Sequence, residues 1–252
     1  MQPPPPGSPG KVRIGFFSFT EVTDPGAHRS YNEWHQLDHL PEQLPLEGIA
    51  WGQRWVCSPR CRRARSAAKA PLDRVHYLTM YLMTDPVEQT LVDFAALGAE
   101  LHRLERFHEQ RKSHLSGPFD VVTAHAAAHV HVSGAAVPYR PNEGVYVVVE
   151  EWGADDGEGA LRARRDPAAL LALDGVAGVW SFAAAESAGR WKPGRRRVTV
   201  CFADGDPVVV AEGAEALLRR AAGEAGSQVV FAAPLEAITP WEWGWFDGDD
   251  GA

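Results

Sequence analysis

Two kinds of apolar run alternate along this chain. Short runs are rich in β-branched and aromatic residues, and longer runs repeat every three to four positions. Lys11 to Val22 (KVRIGFFSFTEV) is a predicted strand, bounded by Asp24-Pro25-Gly26. Ser30 with Glu33 forms a capping-box pattern and starts a predicted helix at Tyr31. Trp34 and Leu37 mark its apolar side, and Tyr31, His35 and His39, spaced four apart, form a neighbouring stripe. Pro41 ends or kinks this helix, and Pro45 and Gly48 close the segment. Ile49 to Cys57 alternates as a strand does, with Trp51, Gln53, Trp55 and Cys57 on one face and Ala50, Gly52, Arg54 and Val56 on the other. Arg74 to Met83 is a predicted strand ended by Asp85-Pro86. Val87 to Phe107 has helical periodicity through Leu91, Phe94, Leu97, Leu101 and Leu104, and the polar stretch His108 to Leu115 extends it. Gly117-Pro118 breaks the helix. Phe119 to Val132 reads as a strand, although its alanines fit a helix equally well.

The second half runs in the same order. Strands are predicted at Gly144 to Trp152, Val176 to Ala185 and Arg196 to Ala203, and helices at Gly159 to Leu173 and Glu212 to Ala225. Gln228 to Ala233, or the tryptophan-rich Ile238 to Phe246, supplies the last strand. Leu44-Pro45-Leu46-Glu47-Gly48 is echoed by Leu171-Ala172-Leu173-Asp174-Gly175, and each precedes a strand carrying tryptophan. Asp85-Pro86 and Asp206-Pro207 each separate a strand from a helix. These echoes point to an internal duplication. The expected organisation is a disordered tail over 1–10, one unit over 11–133, a linker over 134–142 and a second unit over 143–252. Each unit has the order β-α-β-β-α-β of the ferredoxin-like split βαβ, an α+β fold. Such a sheet carries helices on one face only, so two units in one chain can cover each other's bare faces.

Composition narrows the function classes. The 252 residues are 45% hydrophobic and 23% charged, enough apolar material for a sizeable core. A net charge of −8 gives no general electrostatic support to a nucleic-acid role. The basic cluster Arg60 to Lys69 reads as a surface loop. No apolar run approaches the ~18–20 residues that span a bilayer. Cys57, Cys61 and Cys201 are too few and scattered for a disulfide framework, and the amino-terminal residues lack the apolar core of a signal peptide. A reducing cytoplasm is the expected location.

The run Tyr31-Asn32-Glu33-Trp34-His35, then His39-Leu40-Pro41-Glu42 through to Gly48 and a strand bearing Arg54, resembles the EthD-like members of the dimeric α/β-barrel superfamily. The resemblance is specific over 30–56 and architectural elsewhere. That family usually builds its barrel from two chains; this chain resembles a fusion of both halves, the two sheets packing into an intramolecular dimeric α/β barrel. Its members include cofactor-free monooxygenases, cyclases, lactone isomerases and haem-binding enzymes. Their ligands sit between sheet and helices or inside the barrel and are small and rather apolar.

His39 matches the family's helix-end histidine. An imidazole titrating near neutrality serves as general base or acid, and His35 and Tyr31 extend it into a possible proton relay. Trp34, Trp51, Trp55, Tyr77 and Tyr81 are candidates for shaping an aromatic pocket, with Arg54 binding a carboxylate or phenolate, although core packing accounts for tryptophans as simply. His35 to His39 also has the form H-x-x-D-H, but it lacks a later acidic ligand and Pro41 follows closely. His125, His129 and His131 would share a strand face, yet His125 and His129 would stand two rungs of roughly 6.6–7 Å apart. Aligning the echoes sets Leu161 opposite Trp34, Arg162 opposite His35 and Asp166 opposite His39, so any catalytic site belongs to the first half. The expectation is a cofactor-independent lyase, cyclase, isomerase or monooxygenase acting on a small apolar aromatic or polyketide-like molecule. The alternatives are a non-catalytic small-molecule-binding or accessory protein, and a haem- or metal-dependent enzyme with a histidine ligand. Pairing of the tandem chain into a homodimer through the 119–132 strand is a further possibility.

Overall fold

The computed structural model describes residues 7–153, 166–185, 189–224 and 227–247. The first half contributes β1 (Val12–Val22), a helical run over 28–43 (α1), β2 (Ile49–Val56), a short helix α2 (Pro59–Arg63), the two-residue β3 (Ala67–Ala68), β4 (Tyr77–Thr84), α3 (Val87–Arg103) and β5 (Arg111–Ala126). The second contributes β6 (Gly144–Trp152), α4 (Ala168–Leu171), β7 (Val176–Ala184), β8 (Arg196–Ala203), α5 (Pro207–Glu224) and β9 (Ser227–Ala237). The strands form one antiparallel sheet in the order β2-β4-β1-β5-β7-β8-β6-β9-β3, and β2 also pairs with β9, which closes the sheet into a barrel. The fold is therefore α+β, a dimeric α/β barrel completed within one polypeptide.

Strand alternation decides what lies inside. In β1, Phe17 and Phe19 point into the barrel, while Phe16, Ser18 and Thr20 lie under the helices. Phe17 packs edge-on against Phe119 (5.6 Å) and Phe182 (4.9 Å), and Trp55, Met80, Trp180 and Val147 join the same core. A buried indole needs an acceptor for its N–H. Trp55 donates to Asn142 Oδ1 (3.0 Å) and Trp180 to the Gly134 carbonyl (2.9 Å). The segment between the halves, expected as a linker, thus seals one end of the barrel, with Val137 buried in its core. The barrel interior is packed with side chains.

The two seams between the halves differ. β5 pairs with β7 from Phe119 opposite Ala184 to Ala126 opposite Gly178. At the other seam β2 and β9 share only Trp55–Ala237 and Val56–Glu236, and β3 pairs with β9 further along the same edge. The basic cluster reinforces this short seam. Arg60 bonds Glu236 (2.7 Å) and Asp206 (2.5 Å), Ser58 bonds Glu236, and Arg65 lies over the Phe231 ring.

Several local expectations are revised. The helix over 28–43 begins at His28, before the expected start; Ser30 Oγ donates back to the Ala27 carbonyl rather than capping. Its apolar face is also reassigned: Tyr31, Asn32 and His35 are buried, whereas Leu37 is 48% exposed. Pro41 neither ends the helix nor stands in a regular turn. A proline has no N–H and crowds the carbonyl four residues back. Here the turn His35–His39 ahead of it is widened to π geometry, and helix resumes as Leu40–Gln43. Residues 111–115 are strand, not helix, and Gly117-Pro118 lies within β5. Pro118 is tolerated because its missing donor falls on the edge where β7 stops; its carbonyl accepts from Ala185, just past that strand's end. β5 pairs with β1 over 111–120 and with β7 over 119–126, so each of its edges is covered over part of its length. β5 ends at Ala126, which leaves His129 and His131 off the strand.

The tryptophan-rich tail is not a strand. Trp245 and Phe246 fold back onto the first half, and Phe246 stacks on His28 at 3.7 Å. The predicted helix at 159–173 falls largely outside the described residues, as do Leu161 and Arg162; its end appears as α4. All three cysteines are buried and unbridged. Among the described residues no helix is long and apolar enough to cross a membrane.

Candidate functional site

On its helix-facing side the first-half sheet carries a polar rung across four strands. Arg54 on β2 stands opposite Thr79 on β4, Thr79 opposite Ser18 on β1, and Ser18 opposite Ser116 on β5. Ser18 also bonds Thr20 (3.2 Å) and Ser113 (3.0 Å). The next rung towards α3 is aromatic, with Phe16 opposite Tyr81. α1 and α3 roof this surface and leave a cavity of about 150 Å³. α1 lines it with Tyr31, His35, His39 and Gln43, and α3 with Phe94 and Gly98. Phe107 and Arg111 close one side, and Arg190 and Trp191, from the β7–β8 connection of the second half, close another. The space beneath α5 is instead filled by Tyr146, Val148, Val179, Cys201, Val210 and Ala211.

The widened turn brings His35 and His39 to this cavity, their rings 5.0 Å apart and nearly perpendicular. π turns recur at functional sites because they turn side chains out of the ordinary helical register. His35 Nε2 hydrogen-bonds the Thr79 hydroxyl at 3.3 Å. The Nδ1 atoms of both histidines are buried without a protein partner, as are Gln43 Oε1 and the Tyr81 hydroxyl. Unused hydrogen-bonding capacity therefore converges on one cavity. His39 is fixed by Trp34, which stacks on it at 4.6 Å. The Trp34 indole donates to the Arg106 carbonyl (2.7 Å), and the Arg106 guanidinium holds Asp38 and Glu42 of α1, each at 2.8 Å. This strap joins α1 to the segment carrying Phe107 and Arg111.

Arg54 lies behind the wall, not on it. It is 3% exposed, donates to Asn32 Oδ1 at 2.9 Å, and sits 5.4 Å from the Tyr31 ring centre and 5.8 Å from that of Tyr77. Asn32 in turn donates to the Tyr77 hydroxyl (2.8 Å), which also bonds His28 Nδ1 (2.9 Å).

Electrostatics correct one expectation. Burial, reinforced by the positive charge of Arg54, holds His35 far below the ordinary imidazole range. For His39, burial and then Arg111 outweigh the upward pull of Asp38, so it titrates at about 4 rather than near neutrality. At pH 7 both rings are neutral and accept a proton or a hydrogen bond. Burial likewise lowers His28 to about 4 and His76 to about 3.

A stability consequence follows. In the unfolded chain these imidazoles take up protons near the ordinary value of 6.5, before they do so in the folded protein. Stability is therefore expected to fall as pH drops from 6.5 towards 4, and to fall less steeply once His28 and His39 protonate in the folded state too, while His76 keeps contributing to about pH 3. The summed loss is on the order of several kcal/mol. Denaturant midpoints measured across this window test it, and a level profile would contradict the burial of these rings.

Of the residues singled out by sequence, Tyr31, His35, His39 and Tyr81 line the cavity, with Trp34, Arg54 and Tyr77 immediately behind. Trp51 and Trp55 do not belong with them. Trp51 is 37% exposed beside Tyr139, and Trp55 is wholly buried inside the barrel. Sequence reading missed the floor hydroxyls, although hydroxyls at Ser18 and Thr20, alternating with phenylalanines, signal a polar face. It also missed Gly98, Phe107, Arg111, Arg190 and Trp191.

No group of three or more His, Cys, Asp or Glu gathers to hold a metal among the described residues. A cavity of about 150 Å³ is of the size that holds a single benzene ring.

The chain matches no protein-family model, and no curated protein matches it significantly. Similarity to solved structures is found at low identity. An anthrone oxidase-like protein aligns over 92% of this chain and 94% of its own, at 13% identity and a TM-score of 0.59. A mutant chlorite dismutase from Candidatus Nitrospira defluvii in complex with cyanide aligns over 91% and 92%, at 13% identity and a TM-score of 0.48. A protein described as a candidate monooxygenase from Lactobacillus acidophilus aligns over 91% and 95%, at 7% identity and a TM-score of 0.47. The first of these shares the fold of this chain, the dimeric α/β barrel.

Proposed function

We propose that this protein is an enzyme that removes a proton from a small, single-ring aromatic molecule held under α1. His39 is the base, His35 and Tyr31 complete the proton-handling wall, and no prosthetic group takes part. The observation that carries this reading is the cavity under α1 on which two neutral, incompletely bonded imidazoles converge. Proton removal from a phenol, or next to a carbonyl, generates the electron-rich anion that oxygenation, cyclisation and isomerisation share. The fold shared with an anthrone oxidase-like protein makes oxygenation the first reaction to assay. In this reading the chain is a fusion of two ferredoxin-like units, EthD-like in its first half, in which the second unit supplies Arg190 and Trp191 to the first unit's cavity.

A second reading is a binding protein without chemistry. The low basicity of His39 favours it, since proton transfer is most efficient when the base titrates near the working pH.

Gly98 gives the test. A helix interior pays about 1 kcal/mol for glycine relative to alanine, and a Cβ added at Gly98 meets nothing within 4 Å. Gly98→Leu is expected to fill the cavity, raise the melting temperature and abolish binding and turnover of single-ring aromatic compounds. Undiminished binding by the variant would place the ligand elsewhere.

A further inference from the structure

We propose that the cavity selects an ionised aromatic acid, with its ring on the aromatic rung, its acidic oxygen towards the two imidazoles and Arg111, and Arg54 as the fixed cation behind them. This rests on the reading of the cavity as the functional site, and it names the charge of what that site takes.

The first argument is charge balance. Arg54 is buried with Nε and Nη1 unpartnered. The groups that face it are Thr79, Tyr77 and Tyr81 from the sheet and Asn32, Tyr31 and His35 from α1, none of them a carboxylate. Nearby acids are engaged elsewhere: Asp38 and Glu42 hold Arg106, and Glu21 holds His114. Arg111 lies over the Phe107 ring (4.9 Å) and Arg190 over that of Trp191 (5.7 Å), both at the cavity wall. Burying a cation without an opposite charge is costly. An anion in the cavity offsets that cost, and a neutral ligand of the same shape does not.

The second argument is the polarity of the cavity itself. Phe16 packs with Phe94 (4.8 Å) and Trp191 (5.0 Å) along one rung. The neighbouring rung offers Ser18 and Thr79, with His35 bonded to Thr79. A molecule with one flat apolar end and one charged oxygen matches both rungs at once. The third argument joins the site to its chemistry. Burial, and after it the arginines that draw the anion in, keep His35 and His39 neutral, and a bound anion offsets the arginines' share, raising imidazole basicity.

The experiment uses two probes of nearly equal shape, 4-nitrophenol and nitrobenzene, titrated into the full-length protein below the pKa of the free phenol. The expected result is that 4-nitrophenol binds at least tenfold tighter and shows the absorption band of its phenolate. Arg54→Met should lose that band and the tenfold preference while still binding nitrobenzene, and Gly98→Leu should bind neither. Equal affinities, or a bound phenol with the neutral spectrum, would overturn the anion inference and leave the cavity reading standing. Failure of both probes to bind, or binding unaffected by Gly98→Leu, would overturn both. Should Arg54→Met not fold by circular dichroism, the spectrum of the phenol bound to the unaltered protein decides the question alone.

Discussion

Trp55→Ala is expected to cost ~3–5 kcal/mol of folding stability, the range for removing a large aromatic side chain from a packed core. Trp55 is wholly buried among the side chains that fill the barrel, and its indole N–H bonds Asn142. The substitution removes the apolar contacts of a ring and one of the two hydrogen bonds that Asn142 Oδ1 accepts, and it leaves a void. Because domains of this kind are held by only ~5–15 kcal/mol, the variant should unfold at a much lower urea concentration. Trp51→Ala is the companion measurement. Trp51 is exposed beside Tyr139, and its loss should change stability by no more than about 0.5 kcal/mol. The milder Trp55→Phe should leave ligand affinity unchanged. A Trp55→Phe protein that folds normally but loses its ligand would mean that molecules bind inside the barrel after all.

His39→Ala is expected to lower the rate of the proposed proton transfer by ~10²–10⁴-fold, the usual contribution of a positioned base. Its ring is held against Trp34 and beside Phe107, at 5.2 Å from the latter, so its direction is fixed before a ligand arrives. The loss should appear in kcat, with KM little altered. His35→Ala should have a smaller effect on kcat, because its Nε2 is already bonded to Thr79. If His39→Ala weakens binding but leaves turnover intact, the imidazole is a hydrogen-bonding wall and the binding-protein reading gains.

The barrel was legible in the sequence because strand alternation and the order of elements are written locally. Phe17, Phe19 and Trp55 occupy the inward positions of their strands, and the turns at Gly48 and Gly175 both adopt positive φ, at 84° and 77°. The site was half legible. Tyr31, His35 and His39 share a helical stripe, and chemistry-bearing residues on such a stripe can be read without a structure. Their burial could not be, since Leu37 looked the better core residue and the direction of the helix depends on the widened turn before Pro41. The low basicity of His39 follows from its burial and then from Arg111, which is distant in sequence and was expected to lie on a helix. Arg190 and Trp191 come from the other half of the chain, and no local pattern could assign them to this wall. Trp51 and Trp55 mark the limit of reading one strand face: alternation gives the face, but not which side of the sheet carries the cavity.

Closing the barrel with one polypeptide changes how such a molecule can evolve. In a barrel assembled from two identical chains, every substitution appears twice, so a change that improves one cavity must be tolerated in its copy. Here each position exists once. The space under α5 can fill with Val210, Ala211 and Cys201 while the space under α1 keeps its opening. A loop of one half can be reshaped solely to suit the other's cavity, as Trp191 shows. Each half can therefore change without the other.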